Sequence, residues 1–535
     1  MGLMRRRLVA AGAAALAVLI GVAVYARLSS TSVLNSDSAN ILLAGAEMLH
    51  GNLLLHGWFA SDVSFYSTEI PQYAALTAIF GPHAHTAHIA AGMTYTLVFF
   101  LAALLARAGA SSPGQALTRS LIAAGIMLAP SLGVGVFALD LSVGHIGTSV
   151  PLLLTWLLLD WTERTGRQRW WVPVATAVLL AWVLIADPIV LIVGIGPLAI
   201  AGLVRFWLAV RGGSAPRAAW YPMSLTMAAV AGYVLATCVE VLLHALGGYT
   251  LHGLPFHLLP PDALLGNSQA AWKLLDVYGA SFAGSSGVPL VLAFLHLASV
   301  AVVAAALVIA VWRFARLALV EQVLAVAIVL NVALFALTNA STLAANEVAI
   351  VVPFGAVLAA RLLPGTARLL PGTLHSGTLP STAARRLWRA QAGLLAAGVL
   401  VLGGYAAGLG YELTQPAQPM TNTGLASWLV AHHFRYGLSG YWTSSSVTVA
   451  SGGRAEVRAL LQYTLRRDLW MSDVRWYDPK YHYANFVVLD GAPGFYHHWE
   501  PAGLIGKYFG TPAKVYRSGL YTIEVWDRNL LTDIP

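Results

Sequence analysis

The chain has 535 residues, 58% of them hydrophobic and only 10% charged, where a soluble domain carries about 25% charged residues. With a mean hydropathy of +0.70, that deficit excludes a water-soluble globular protein. The formal net charge of +8 reflects membrane topology rather than a nucleic-acid partner, and the lone Cys238 excludes a disulfide within the chain.

In chain order, Arg5, Arg6 and Arg7 precede an apolar run from Leu8 to Tyr25. That run is long for the apolar region of a signal peptide, about 7–15 residues, and long enough to span a bilayer, so a first span is expected, with a cleaved signal peptide as the alternative because small residues follow. Apolar blocks of similar length recur, and the expected spans are 8–26, 86–106, 119–138, 146–160, 171–186, 188–205, 220–244, 288–312, 318–337, 347–361 and 391–410. The boundary at Asp187-Pro188 and the short tenth span are the places where a broken or re-entrant segment is expected. The Pro/Gly/Ser-rich stretch 364–382 reads as a linker.

Basic residues sort cleanly between the two sides of this topology. Loops on the side of the N-terminus hold Arg107, Arg119, Arg164, Arg205, Arg313, Arg361 and their neighbours, whereas the opposite loops before residue 411 hold only Arg27 and Lys273. Such an excess marks the cytoplasmic side. The N-terminus is therefore expected in the cytoplasm and the C-terminal residues outside.

From Tyr411 the composition turns charged and aromatic. Ser446–Ala450, Phe486–Leu489 and Tyr521–Trp526 read as short strands, and Thr423–Tyr436 and Ala455–Thr464 as helices. The fold class is thus mainly α: a polytopic transmembrane helix bundle of about 11 spans over residues 1–410, with exported loops 27–85 and 245–287 and a small exported C-terminal α/β domain over 411–535.

Polar residues able to do chemistry gather in the exported loops. The first contains Asn35-Ser36-Asp37-Ser38 ahead of an amphipathic stretch, then Glu47, Trp58, Asp62, Tyr66 and Glu69. Ser36 or Asp37 suits the N-cap of a helix. Asp37 also suits a general base, because a carboxylate just after the first span meets both a water-soluble acceptor and a lipid-bound donor.

This loop resembles the first exported loop of GT-C-type glycosyltransferases, which include the protein mannosyltransferases and the lipid A aminoarabinose transferases. The likeness rests on Asp37 after the first span, on Glu47-Met48-Leu49-His50-Gly51 closing a helical stretch, and on Ser67-Thr68-Glu69-Ile70-Pro71-Gln72-Tyr73 before the second span. Where that superfamily has a Lys-Pro-Pro- or His-Pro-Pro-like segment, Glu69 and Ile70 stand in place of the basic residue and the first proline. The resemblance implies transfer of a sugar from a polyprenyl-phosphate donor to a glycan, lipid or protein acceptor. It makes Asp37 the catalytic residue, and it leaves open a divalent cation, which some of these enzymes use.

Substrate-binding candidates are Asp62 and Glu69 for acceptor hydroxyls, and Lys273 and Tyr278 on the helical stretch Ala270–Tyr278, with Lys273 facing the lipid phosphate. Asp187 is a further candidate, and a tight turn at Asp187-Pro188 is its alternative role. Asp140 and Glu347 also sit at outer span ends. Histidines crowd the same side, His145 among them; His85 and His88, three residues apart with His83 nearby, are the candidates for a zinc site, against the expected role of interface histidines bonded to headgroups or loop backbone. There is neither a Gly-rich lysine loop for nucleotide phosphates nor a Gly-x-Ser-x-Gly elbow. A transporter or flippase of lipid-linked saccharide is the alternative function, and it predicts charges deep in the spans and twofold internal similarity.

Overall fold

The computed structural model describes residues 2–141, 144–213, 216–253, 256–342, 344–366, 381–491, 498–501 and 503–535. Seven described helices are long and apolar enough to cross a membrane: Leu8–Ser29, Ala84–Arg107, Leu191–Arg211, Ala219–Ala245, Gly287–Trp312, Leu319–Leu337 and Ala345–Leu363. Helices are the expected form, since hydrocarbon offers the backbone no hydrogen-bond partner. Their outward faces carry large apolar side chains such as Leu19, Trp207, Val241, Phe294 and Val308, which water would reject and lipid accepts. Where helices cross closely, small residues allow it. A Cβ on Gly92 would strike the backbone of Ala26 and Val22.

The count of eleven spans is not confirmed. The span expected at 119–138 is two helices, Pro113–Met127 and Val134–Asp140, separated by Pro130 and by Gly133 at φ 81°. Residues 146–160 form a one-turn segment, His145–Thr148, followed by the helix Ser149–Thr165. The helix Trp171–Ala186 is apolar but short, and 391–410 lies within Ser381–Thr414. The break at Asp187-Pro188 is present: one helix ends at Ala186 and the chain resumes through a π-helical turn at Leu191–Ile195. Most of the linker 364–382 lies outside the described residues.

The arginines that the sequence places on one side meet at the end of the bundle away from His145. Arg361 pairs with Asp160 at 2.8 Å and Glu321 at 3.1 Å, Arg164 with Asp160 at 2.6 Å, and Arg205 with Glu163 at 2.6 Å.

At the other end two sheets fix the site. Strands β1 (Trp58–Ala60), β2 (Thr250–Leu251) and β5 (Ser472–Asp473) form a small sheet in the order β2-β1-β5. It ties the first loop to the loop 245–287 and to the C-terminal region. Trp58 packs edge-on against Trp476 across it, and Arg475 reaches Glu47 at 2.8 Å. Strands β3 (Tyr436–Ser439), β4 (Glu456–Ala459), β6 (Phe486–Asp490), β7 (Lys514–Ser518) and β8 (Tyr521–Val525) make a five-stranded mixed sheet ordered β4-β3-β6-β8-β7.

Two local expectations in this region are corrected. Ser446–Ala450 is not a strand but the end of the helix Tyr441–Ala450, which links the parallel strands β3 and β4. A parallel pair needs a crossover, and that requirement overrides the strand preference of Val447 and Val449. Ala455–Thr464 is not helical, because Glu456–Ala459 is β4 and alternates between half-buried and buried residues. The helix expected over Thr423–Tyr436 stops at Ala431, where β3 must begin.

Candidate active site

The helix Ser36–Leu49 is capped by neither Ser36 nor Asp37. Asn35 is the cap: its Oδ1 accepts from the backbone N–H of Asp37 at 3.0 Å and of Ser38 at 3.3 Å. That leaves the carboxylate of Asp37 free to face a cavity of about 770 Å³ between the first loop, the segment around His145 and the C-terminal region. Its Oδ1 accepts the hydroxyl of Tyr441 at 2.6 Å. Asn40 Nδ2 donates to the same tyrosine oxygen at 3.1 Å, so the single tyrosine proton is directed to Asp37. Oδ2 has only a long contact, 3.3 Å, with Asn35 Nδ2. Burial raises the carboxyl pKa of Asp37, and the hydrogen bonds from Tyr441 and Asn35 oppose that rise.

The opposite wall is built around His145. Its Nδ1 lies 2.8 Å from Asp187 Oδ2 and its Nε2 lies 3.1 Å from Glu347 Oε2. Burial works against charge on this ring, but the two carboxylates outweigh it and lift its pKa well above the usual histidine value. Thr148 Oγ1 donates to the same Asp187 oxygen at 2.5 Å, and Asp187 Oδ1 accepts from Ile189 N at 3.0 Å, closing the turn at Pro188. Asp62 lines the cavity beside His145. Its carboxyl is pushed up to about 6, chiefly by burial, with His145 pulling it down and Glu347 raising it.

Glu69 opens the helix Glu69–Phe80 and is buried, accepting the hydroxyl of Thr68. Burial pushes it up to about 7. It packs so tightly against Gly147 that a Cβ there would collide with its carboxylate.

A second, apolar cavity of about 340 Å³ lies beyond this wall, lined by Ile189, Leu191, Ile192, Leu334 and Phe335 from the ends of two spans. Asp62, Val63, His145 and Glu347 line both cavities. A chamber that carries several acids and a greasier one therefore meet at a charged partition.

Of the residues the sequence singles out, Asp37 and Asp62 line the large cavity, Asp187 the apolar one, and Glu69 packs behind the partition. Lys273 lines neither: its Nζ donates to the Ser341 carbonyl at 2.8 Å. Tyr278 is buried and donates to the Val351 carbonyl at 3.1 Å. His145, Glu347, Tyr441, Trp442, Asp468 and Trp470 line the cavity without having been singled out. His145 and Glu347 stood only as members of crowded classes, and the C-terminal four carry no local signal. Among the described residues no three His, Cys, Asp or Glu side chains converge so as to hold a metal ion.

No protein-family model matches the chain, and no curated protein sequence matches it. A solved structure does: ArnT from Cupriavidus metallidurans bound to undecaprenyl phosphate, with a TM-score of 0.53 and 15% identity over 96% of this chain and 98% of that one. The likeness extends over nearly the whole length of both chains. The expected fold, a membrane-spanning helix bundle followed by a small C-terminal α/β region, is therefore the observed one and is like that of this solved structure, and the chain is a multi-pass membrane protein.

Proposed function

We propose that this chain is a membrane glycosyltransferase that moves a sugar from a polyprenyl-phosphate donor to an acceptor hydroxyl at the extracytoplasmic face, with Asp37 as the base. The observation that supports it best is the placement of Asp37 in a large, acid-bearing cavity that abuts a more apolar cavity between span ends. A lipid-linked substrate needs both environments. The match to a fold solved with undecaprenyl phosphate bound agrees with that class of donor.

In this reading the polyprenyl chain enters through the apolar cavity and the sugar lies in the larger one, beside Asp37. Asp37 takes the proton of the acceptor hydroxyl as its oxygen attacks the anomeric carbon. The bond from that carbon to the phosphate oxygen breaks, and polyprenyl phosphate leaves with the electron pair. His145 is the positively charged group that lines both cavities among the described residues, and it faces the charge developing on the phosphate. The raised pKa of Asp37 makes it a better proton acceptor than a solvated aspartate.

The test uses purified protein in lipid nanodiscs, polyprenyl-phosphate sugars and a panel of glycan, lipid and peptide acceptors. Wild type transfers sugar, and Asp37→Asn, with an unchanged unfolding temperature, does not. Transfer that survives Asp37→Asn removes Asp37 from the mechanism. Movement of the lipid-linked sugar across the bilayer without bond formation makes the chain a transporter.

A further inference from the structure

The polar side chains on the wall of the larger cavity are mostly hydrogen-bond acceptors. An ionised carboxylate accepts and cannot donate, and Asp37, Asp62, Glu347 and Asp468 all line the space. Asn346, on the same wall, has a buried Oδ1 with no hydrogen-bond partner in the protein. Three of the neighbouring donor groups are already committed. Tyr441 donates to Asp37, the His145 nitrogens face Asp187 and Glu347, and Ser61 Oγ donates to the Val63 carbonyl. No Lys or Arg is found among the described residues of this wall. Trp442 and Trp470, both from the C-terminal region and both half-buried, supply broad apolar faces.

These features exclude ligands by charge and by hydrogen bonding. A phosphate or carboxylate here would confront four acids, and the cation beside them, His145, is already held between Asp187 and Glu347. A purely apolar occupant would leave Asn346 Oδ1 and the carboxylates dry and unmet. A sugar ring satisfies both demands, since its hydroxyls donate to the oxygens and its C–H face lies flat on an indole.

We propose that this cavity is the acceptor subsite and that it takes an uncharged saccharide, seated on Trp442, Trp470 and Asp468 with one hydroxyl directed at Asp37. The role of acceptor rests on the transferase reading, whereas the binding preference does not. The C-terminal region is then the part of the chain that selects the acceptor, and it selects against anionic ones.

Binding is measured without donor. The full chain in lipid nanodiscs is applied to an array carrying neutral glycans beside phosphorylated and uronic-acid glycans. Neutral glycans are retained, and the anionic ones are retained at least about tenfold less, because like charges brought together in a binding site cost several kcal/mol. Trp470→Ala lowers retention of neutral glycans by about tenfold, the scale of a lost aromatic contact. Asp468→Asn, an isosteric change that still accepts the N–H of Trp470, narrows the gap between neutral and anionic glycans. Anionic glycans held as tightly as neutral ones, no glycan held at all, or neutral retention untouched by both substitutions would each overturn the proposal. Failure of sugar transfer in the Asp37 experiment leaves this binding result standing, so the two readings fail separately.

Discussion

The hydroxyl of Tyr441 lies 2.6 Å from Oδ1 of Asp37 across 404 positions of sequence. This bond joins the first loop to the C-terminal region at the proposed base. Tyr441 acts through Asp37, orienting one carboxylate oxygen and stabilising its charge.

Tyr441→Phe removes a hydrogen bond to a charged group, worth about 1.5–3 kcal/mol. On the proposed mechanism the turnover falls by roughly tenfold or more, because the carboxylate is no longer held in the orientation for proton transfer. The bond opposes the burial that raises the pKa of Asp37, so its loss raises that pKa further. The acid limb of the pH–rate profile therefore moves to higher pH. A purely structural role would lower activity at every pH and leave the limb in place.

Gly147 has no space for a side chain because the Glu69 carboxylate occupies it. Gly147→Ala is expected to lower the unfolding temperature, since overpacking of this kind costs about 1–3 kcal/mol. Shortening the partner makes room, so Glu69→Ser with Gly147→Ala recovers part of the loss. Thermal unfolding of the three proteins in the same nanodiscs checks this, and a double variant as unstable as the single one refutes the steric account.

Glu69 also makes stability depend on pH. Its folded pKa, about 7, is above the unfolded value of 4.5, so the folded state binds the extra proton between those values. Its contribution is intact below pH 4.5 and is lost as pH rises to about 7, at a cost of order 3 kcal/mol at most. Glu69→Gln is expected to flatten the fall in unfolding temperature between pH 5 and pH 8. Equal slopes for variant and wild type would show that Glu69 is not protonated in the fold.

His145 holds Asp187 and Glu347 together in a buried partition. His145→Ala leaves two carboxylates without their partner, and breaking such a pair costs about 3–5 kcal/mol. The unfolding temperature should drop more for His145→Ala than for Asp187→Asn, which removes a charge rather than stranding one. The reverse order would mean that the ring is neutral. In the proposed mechanism both variants also slow transfer, through loss of the positive charge and loss of its orientation respectively.

Part of the site was legible in the chain itself. Asp37 stood out because a carboxylate directly after an apolar span is unusual and costly there. The break at Asp187-Pro188 was legible because an acid and a proline interrupt an otherwise continuous apolar run. Lys273 stood out for an equally good reason, being one of two basic residues in its set of loops. Yet the fold turns its ammonium to the Ser341 carbonyl, and no local pattern signals where a long side chain will point. Tyr441 and Trp470 lie in ordinary aromatic-rich sequence, and their region is brought over the cavity by tertiary contacts, among them the pairing of Trp58–Ala60 with Ser472–Asp473.

What the sequence determined by itself was the solvent. Blocks of apolar residues and a shortage of charge commit most of the chain to hydrocarbon, because transfer free energy adds up residue by residue along a span. The number of long spans, the helix Tyr441–Ala450 in place of a strand, and the meeting of Asp37 with Tyr441 were decided by tertiary structure. They depend on contacts between segments far apart in the chain, and the energy of such a contact belongs to neither segment alone.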